Sequence, residues 1–247
     1  MQRQRNEHGL SVSQLATRLN VDRSTVSRIE NGWRKLSPDQ AARLDELWGL
    51  GHLFKRLVRF ASATDDGSWF TGLIDFERDA THHRMWEALL VPGLLQTPDY
   101  ARALVSVRSS DVEAGVETRL ARQAAVFEKD NPPMVSVILN WVAIEQSVGN
   151  RDVMRGQLAH LLEMGERPNV NIRVLERDVD QHVGLDGSFR LLTVGDREIA
   201  FSASPERGRL VLEPPDVQEY ALRYDLISNV ASPTGASRRL IERAMEE

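Results

Sequence analysis

The chain has 247 residues, of which 41% are hydrophobic and 27% are charged, and it contains no cysteine. This composition allows a sizeable core and predicts two structural units, and it excludes disulfides, thiolate zinc sites and cysteine nucleophiles. The sequence has no apolar run of about 18 residues that could cross a bilayer, and its N-terminal MQRQRNEHGL lacks the apolar stretch of a signal peptide. A cytoplasmic protein without membrane contact is therefore expected.

The net charge of −5 is unevenly distributed along the chain. Residues 1–60 contain eleven Lys and Arg against six Asp and Glu, whereas the remainder carries an acidic surplus. A local basic surplus can bind phosphates even when the whole molecule is anionic. The asymmetry therefore favours a DNA-facing module in the N-terminal region.

The first part of the chain is predicted to be helical. From Gly9 to Gly51 the apolar residues recur at helical spacing, with tight turns between short helices. The small, acidic segment SATDDGSW then indicates a linker near residues 62–68. We therefore predict an all-α N-terminal domain over residues 1–62 and a second domain over residues 69–247.

The second domain shows both helical and strand periodicity. The order of strand, helix and strand between Val135 and Val174 indicates a mixed α/β domain, so the predicted fold class of the whole chain is α+β. The predicted helices run from Phe76 to Leu90, Asp99 to Lys129, Asp152 to Met164, Val217 to Val230 and Gly235 to Met245, and the predicted strands lie at Val135 to Leu139, Val170 to Val174, Phe189 to Val194, Ile199 to Ser202 and Leu210 to Leu212.

The segment GLSVSQLATRLNVDRSTVSRIENG, from Gly9 to Gly32, predicts two helices joined by a turn at Asn20. Ser11 and Asp22 are suited to cap the two helices, and Gly32 to end the second one. The second helix would bury Val26 and Ile29 and expose Arg, Ser and Asn, a polar face suited to the major groove of DNA. Periodicity alone fits an ordinary helical hairpin with a polar outer face equally well.

This segment resembles the helix-turn-helix of the Xre class, which includes phage lambda repressor and Cro, and the ending STVSRIENG is especially similar. The resemblance implies a sequence-specific DNA-binding transcriptional regulator whose partner is double-stranded DNA. Val12 departs from the pattern, because many members have Gln there. The implied base-contacting residues are Arg23, Ser24, Thr25, Ser27 and Arg28, and the implied phosphate-contacting residues are Asn31, Arg34 and Lys35.

The second domain also resembles a known group of regulators. The stretches LLVPGLLQTPDYARAL and ERPNVNIRVLERDVDQHVGLDGSF are similar to the C-terminal domain of WhiJ-like actinobacterial regulators. That group is antitoxin-like and works beside a small partner protein encoded nearby. The resemblance implies either an antitoxin-like protein that binds such a partner and autoregulates its operon, or a regulator that senses a small-molecule effector.

Two protein contacts are expected in addition. A homodimer is predicted, because one short recognition helix covers only a few base pairs and a dimer grips two half-sites. The segment VPGLLQTPDYA, with Leu94, Leu95 and Tyr100 between two prolines, is a candidate partner-binding surface. It fits a structural corner equally well.

We predict no catalytic residues, no metal and no cofactor. His82 and His83 are adjacent and would project in different directions from a helix, which is poor metal geometry, and His160 and His182 have no partner at ligand spacing. Phosphate-cradling glycine motifs are absent from the sequence. Serines such as Ser188 lack the context of a nucleophile elbow, so an enzyme is not expected.

Overall fold

The computed structural model describes residues 1–62, 69–203 and 208–246. The chain forms two compact units, Met1–Asp75 and Phe76–Glu247, which are described separately. The predicted linker at residues 63–68 lies outside the described residues. The N-terminal unit contains α1 (Gln2–Glu7), α2 (Val12–Leu19), α3 (Arg23–Glu30), α4 (Pro38–Trp48), α5 (Leu53–Ser62) and the first part of α6 (Trp69–Asp79).

The N-terminal unit is built around one small apolar core. Leu15 and Leu19 of α2 pack with Val26 of α3 and Leu44 of α4, all of them fully buried at helical spacing. Ile29, which the sequence analysis assigned to this core, is only half-buried. The remaining apolar positions therefore hold α2, α3 and α4 together.

The C-terminal unit combines one sheet with helices and two short 3₁₀ turns, Gly93–Leu95 and Val183–Asp186. Its remaining elements, in chain order, are β1 (His82–Glu87), α7 (Pro98–Val105), α8 (Val112–Phe127), β2 (Met134–Asn140), α9 (Trp141–Glu145), α10 (Arg151–Met164), β3 (Val170–Leu175), β4 (Phe189–Val194), β5 (Arg197–Ser202), β6 (Arg209–Val211), α11 (Pro214–Val230) and α12 (Thr234–Glu246).

The six strands form a mixed sheet in the order β3-β2-β1-β4-β5-β6. β1, β2 and β3 are parallel, whereas β4, β5 and β6 continue the sheet antiparallel. α7, α8, α10 and α12 contribute to an apolar cluster on one face, and α11 packs on the other face against Trp86 and Leu191. The predicted α+β class, with a helical region followed by a mixed α/β domain, is confirmed.

Two of the predicted helices are wrong in extent or type. The region from Phe76 to Leu90 contains β1, which lies in the sheet between β2 and β4, so His82 and His83 lie on a strand rather than on a helix. The region from Asp99 to Lys129 forms two helices, because the side chain of Asp111 caps a new helix by accepting a hydrogen bond from the backbone N–H of Ala114 at 3.3 Å.

Charged side chains are buried on one face of the C-terminal unit. The carboxylate of Glu77 accepts two hydrogen bonds from Arg122, at 2.5 and 2.9 Å, and one from Arg190 at 2.7 Å. Arg190 also donates to Glu87 at 3.1 Å. Although burial favours the neutral acid, the two guanidinium groups lower the pKa of Glu77, whereas burial raises the pKa of Glu87. In these ion pairs each buried guanidinium lies against a carboxylate, so the two opposite charges compensate each other.

His83 lies fully buried beside this network. Burial lowers the pKa of its ring to about 4, with Glu77 opposing the shift and Arg190 and Arg122 adding to it. Among the described residues, neither ring nitrogen has a hydrogen-bond partner. The side chain is therefore neutral near pH 7.

None of the helices in the described ranges combines the length with the apolar character that crossing a membrane requires.

Candidate nucleic-acid interface

The two helices of the motif begin and end at the residues that the sequence analysis assigned. Ser11 caps α2, because its Oγ accepts a hydrogen bond from the Gln14 N–H at 3.2 Å while the Gln14 side chain accepts from the Ser11 N–H at 2.8 Å. Asn20 ends α2 in the left-handed conformation, at φ 54°. Asp22 occupies the N-cap position of α3 as predicted, but its side chain makes no capping hydrogen bond. These local features turn the chain so that α3 crosses α2.

α3 has a buried face and an exposed face. Val26 is fully buried on the inner face, while Arg23, Ser24, Ser27 and Arg28 are exposed. Within the part of the chain that the structure describes, the guanidinium groups of Arg23 and Arg28 have no hydrogen-bonded or ionic partner. Their charges therefore remain available for a ligand outside the protein.

Thr25 corrects the predicted set of base-contacting residues. Its side chain lies on the inner side of α3, where the residue is only 8% exposed. Its Oγ1 accepts a hydrogen bond from the guanidinium of Arg34 at 3.3 Å. Thr25 thus orients Arg34 from within the protein, and the exposed face does not include it.

The C-terminal end of α3 is held by an ion pair with α1. The guanidinium of Arg5 donates to both carboxylate oxygens of Glu30, at 2.8 and 3.1 Å, and to the carbonyl oxygen of Leu10 at 2.7 Å. The hydrogen bond to Glu30 raises the pKa of Arg5. Because the pair is bidentate and largely buried, it fixes the direction of α3 more firmly than an exposed pair would.

The loop after α3 carries the predicted phosphate-contacting residues. Asn31, Arg34 and Lys35 are all exposed, and Asn31 donates through its side-chain amide to the carbonyl oxygen of Ser27 at 2.8 Å. Gly32 turns the chain with φ at +75°, a conformation that glycine adopts without strain. The cationic side chains therefore lie on the surface directly after the C-terminal end of α3.

Three residues of this unit were missed by the sequence analysis. Arg5 anchors α3, as described above, and Arg43 of α4 donates to the carbonyl oxygen of Leu19 at 2.8 Å, which satisfies the end of α2. Trp33 lies in the loop after α3 with most of its indole exposed. The sequence signal for Trp33 is its position between a helix-ending glycine and two basic residues.

The predicted partner-binding segment is part of the core. Leu94, Leu95 and Tyr100 are buried in the apolar cluster of the C-terminal unit. The Tyr100 hydroxyl accepts a hydrogen bond from the backbone N–H of Val91 at 3.3 Å, and Gln96 donates to the carbonyl oxygen of the same residue at 2.6 Å. The two prolines therefore frame a structural corner, and these three side chains offer no surface to a partner.

Two family models match the chain in separate regions. Residues 1–50 match the model described as helix-turn-helix, which supports a DNA-binding regulator. No curated protein and no solved structure matches the chain. Residues 70–243, well over half of the chain, match the model described as a domain of unknown function, DUF5753. The chain therefore belongs to the DUF5753 family and carries a helix-turn-helix at its N-terminus.

Proposed function

We propose that this protein is a transcriptional regulator that reads a specific duplex DNA sequence with α3. The observation that carries the proposal is the exposed outer face of α3, where the guanidinium groups of Arg23 and Arg28 have no partner among the described residues. An arginine can donate two hydrogen bonds to the edge of a guanine in the major groove, and the neighbouring hydroxyls of Ser24 and Ser27 can bond bases or phosphates.

The order of charges along α3 supports this orientation. Arg23 begins the helix, so its side chain projects from the end that a helix-turn-helix directs toward base edges. Arg34 and Lys35 follow the other end, where the phosphate backbone runs. Base contacts set sequence preference, whereas the phosphate contacts fix register and contribute salt-dependent affinity.

The experiment that tests the proposal is selection of duplexes from a randomised library with the full chain at a stated salt concentration. We expect one enriched sequence, which then binds more tightly than a scrambled duplex of equal length. Enrichment of no sequence, with equal affinity for both duplexes, would contradict the proposal.

The proposal includes a homodimer on DNA. An eight-residue recognition helix spans only a few base pairs, and two copies on an inverted repeat combine their affinities. We expect the selected sequence to contain two half-sites whose centres lie about 34 Å apart, or a multiple of that distance. Analytical ultracentrifugation of the complex should show two chains per duplex, and a single chain at saturation would contradict this part.

A small-molecule effector for the C-terminal unit is a second proposal, supported by a cleft of about 420 Å³. The rings of Phe189 and Tyr220 lie 5.3 Å apart at this cleft, and Arg209, Asp216 and Arg223 also line it. Because charged and hydroxyl groups make up most of the lining, the ligand that suits this cleft is a small polar molecule that the ring of Tyr220 can cover. Thermal-shift screening of the full chain against a metabolite collection tests the idea, and a hit should lose its effect in Tyr220→Ala.

The small protein partner implied by the WhiJ-like resemblance stays a prediction. Its surface is not the segment with Leu94 and Leu95, because both side chains are buried. Co-purification of the product of a neighbouring gene with the tagged full chain, with a change in DNA affinity when that product is added, is the expected outcome for an antitoxin-like role.

A further inference from the structure

Trp33 is the most unusual side chain of the N-terminal unit, because 81% of the residue is exposed. Tryptophan is usually well buried, since its indole ring carries a large apolar surface that water solvates poorly. Trp48, which belongs to the helical core, is buried. The structure itself therefore gives Trp33 no packing role.

The backbone of Trp33 is nevertheless held in place. Its N–H donates to the carbonyl oxygen of Arg28 at 2.8 Å, and the N–H of Arg34 donates to the same oxygen at 3.2 Å. Gly32 supplies the turn that brings the chain back toward α3. The indole is thus presented from a hydrogen-bonded turn at the C-terminal end of the recognition helix.

The length of α3 determines what lies near this turn when the helix enters DNA. Its eight residues, at about 1.5 Å per residue, span about 12 Å. The major groove is about 8.5 Å deep, so a helix of this length that enters with its N-terminal end extends to the edge of the groove. When Arg23 reaches base edges, the residues after the C-terminal end of α3 therefore lie at the rim of the groove, beside the sugar–phosphate backbone.

The charges around Trp33 also favour a position beside the sugar–phosphate backbone. Arg28 precedes it on α3, and Arg34 and Lys35 follow it directly, all three exposed. The nearest acid before it, Glu30, is engaged by Arg5 and largely buried. An exposed indole in a cationic turn is complementary to a polyanion whose deoxyribose rings present apolar edges between the phosphates.

We infer that Trp33 contacts the sugar–phosphate backbone at the rim of the groove that α3 enters, a role that rests on the proposed function. The indole covers deoxyribose, and its Nε1–H, a donor without acceptor capacity, bonds a phosphate oxygen. This contact is uncharged and does not read bases. It positions α3, and it contributes equally on every sequence.

The test compares the affinities of full-length variants for the selected duplex and a scrambled duplex across a series of salt concentrations. Trp33→Ala should lose about tenfold on both duplexes, with an unchanged salt slope because no charge is removed. Lys35→Ala should also weaken both, but it should lower the slope by about 1. The matched control is Val107→Ala, because Val107 is 82% exposed in the C-terminal unit and should not affect DNA binding.

Fluorescence gives a second readout that does not depend on affinity. Tryptophan emission of the wild-type chain should change when the selected duplex is added, and Trp33→Phe should remove most of that change. Trp33→Ala should leave the thermal unfolding midpoint of the free protein unchanged, because the side chain is exposed.

The possible results separate this inference from the proposed function. If the wild type distinguishes the two duplexes and Trp33→Ala binds both as the wild type does, the inference is wrong and the proposed function stands. A loss confined to the selected duplex would indicate a base contact, and a change in oligomeric state without DNA would indicate a protein contact; both overturn the inference. If the wild type distinguishes no duplexes, the proposed function fails and the inference with it.

Discussion

On α3 of the N-terminal unit, the guanidinium groups of Arg23 and Arg28 are exposed and have no partner among the described residues, whereas those of Arg122 and Arg190 in the C-terminal unit are buried against Glu77. A buried guanidinium whose donors are engaged is committed to the fold, since removing its carboxylate leaves a charge without compensation. An exposed guanidinium without a partner keeps its donors for a ligand. Buried arginines therefore stabilise the C-terminal unit, whereas exposed arginines of the N-terminal unit are available to bind a ligand.

The largest expected effect comes from breaking the buried network. Glu77→Ala leaves Arg122 and Arg190 without the carboxylate that they share, so the free energy of unfolding should fall by about 3–5 kcal/mol. Urea denaturation of the full chain measures this. Glu113→Ala is the matched control, because Glu113 pairs with Arg102 on the surface and its loss should have little effect. Similar losses for the two variants would contradict the distinction between buried and exposed pairs.

The next largest loss of stability is expected from a substitution at Leu95, in the structural corner between the two prolines. Leu95→Ala removes a fully buried side chain from the apolar cluster and should cost about 2–5 kcal/mol of unfolding free energy. Leu89→Ala, at an exposed position nearby in the sequence, should cost far less. If Leu95→Ala left stability unchanged, the assignment of this segment to the core would be wrong.

The titration of His83 makes the free energy of unfolding depend on pH between about 4 and 6.5. Its folded pKa of about 4 lies below the unfolded value of 6.5, so the unfolded chain takes up the proton first. The contribution of neutral His83 to the free energy of unfolding is fully present above pH 6.5 and is lost as the pH falls toward 4. The free energy of unfolding changes by about 3 kcal/mol over this range.

His83→Leu should abolish this part of the pH dependence while Glu77, Glu87, Arg122 and Arg190 remain around the site. The measurement is the difference in unfolding free energy between wild type and variant at pH 7 and at pH 4. Because neither ring nitrogen has a partner among the described residues, the variant should be no less stable at pH 7. A difference that stays constant with pH would show that His83 does not titrate as described.

Local patterns in the sequence were sufficient for the recognition unit and for much of the C-terminal unit. The capping of α2 by Ser11, the turn at Asn20 and the alternation in β2 and β3 all depend on neighbours within a few residues. β1 could not be recognised in this way. It lies between two strands and is buried on both faces toward its end, so HHRMWE lacks the alternation of a half-buried strand.

The contacts that join distant segments were also beyond the sequence patterns. Arg5 and Glu30 are 25 residues apart, and Glu77 of α6 and Arg190 of β4 are 113 residues apart. Thr25 was assigned to the exposed face by resemblance, whereas the packing of α3 turns it inward. The charge and the helical spacing of the sequence were enough to identify the exposed face of α3. Which polar and charged side chains remain exposed depends on contacts between distant segments, and the local sequence pattern does not show these contacts.

The most direct test of the account is the effect of Arg23→Ala on binding to the selected and the scrambled duplex, measured beside Lys35→Ala at one salt concentration. Arg23→Ala should weaken binding to the selected duplex by about 1–3 kcal/mol and leave the scrambled duplex nearly unaffected, while Lys35→Ala should weaken both alike. Equal losses on the two duplexes for Arg23→Ala would contradict base reading by α3.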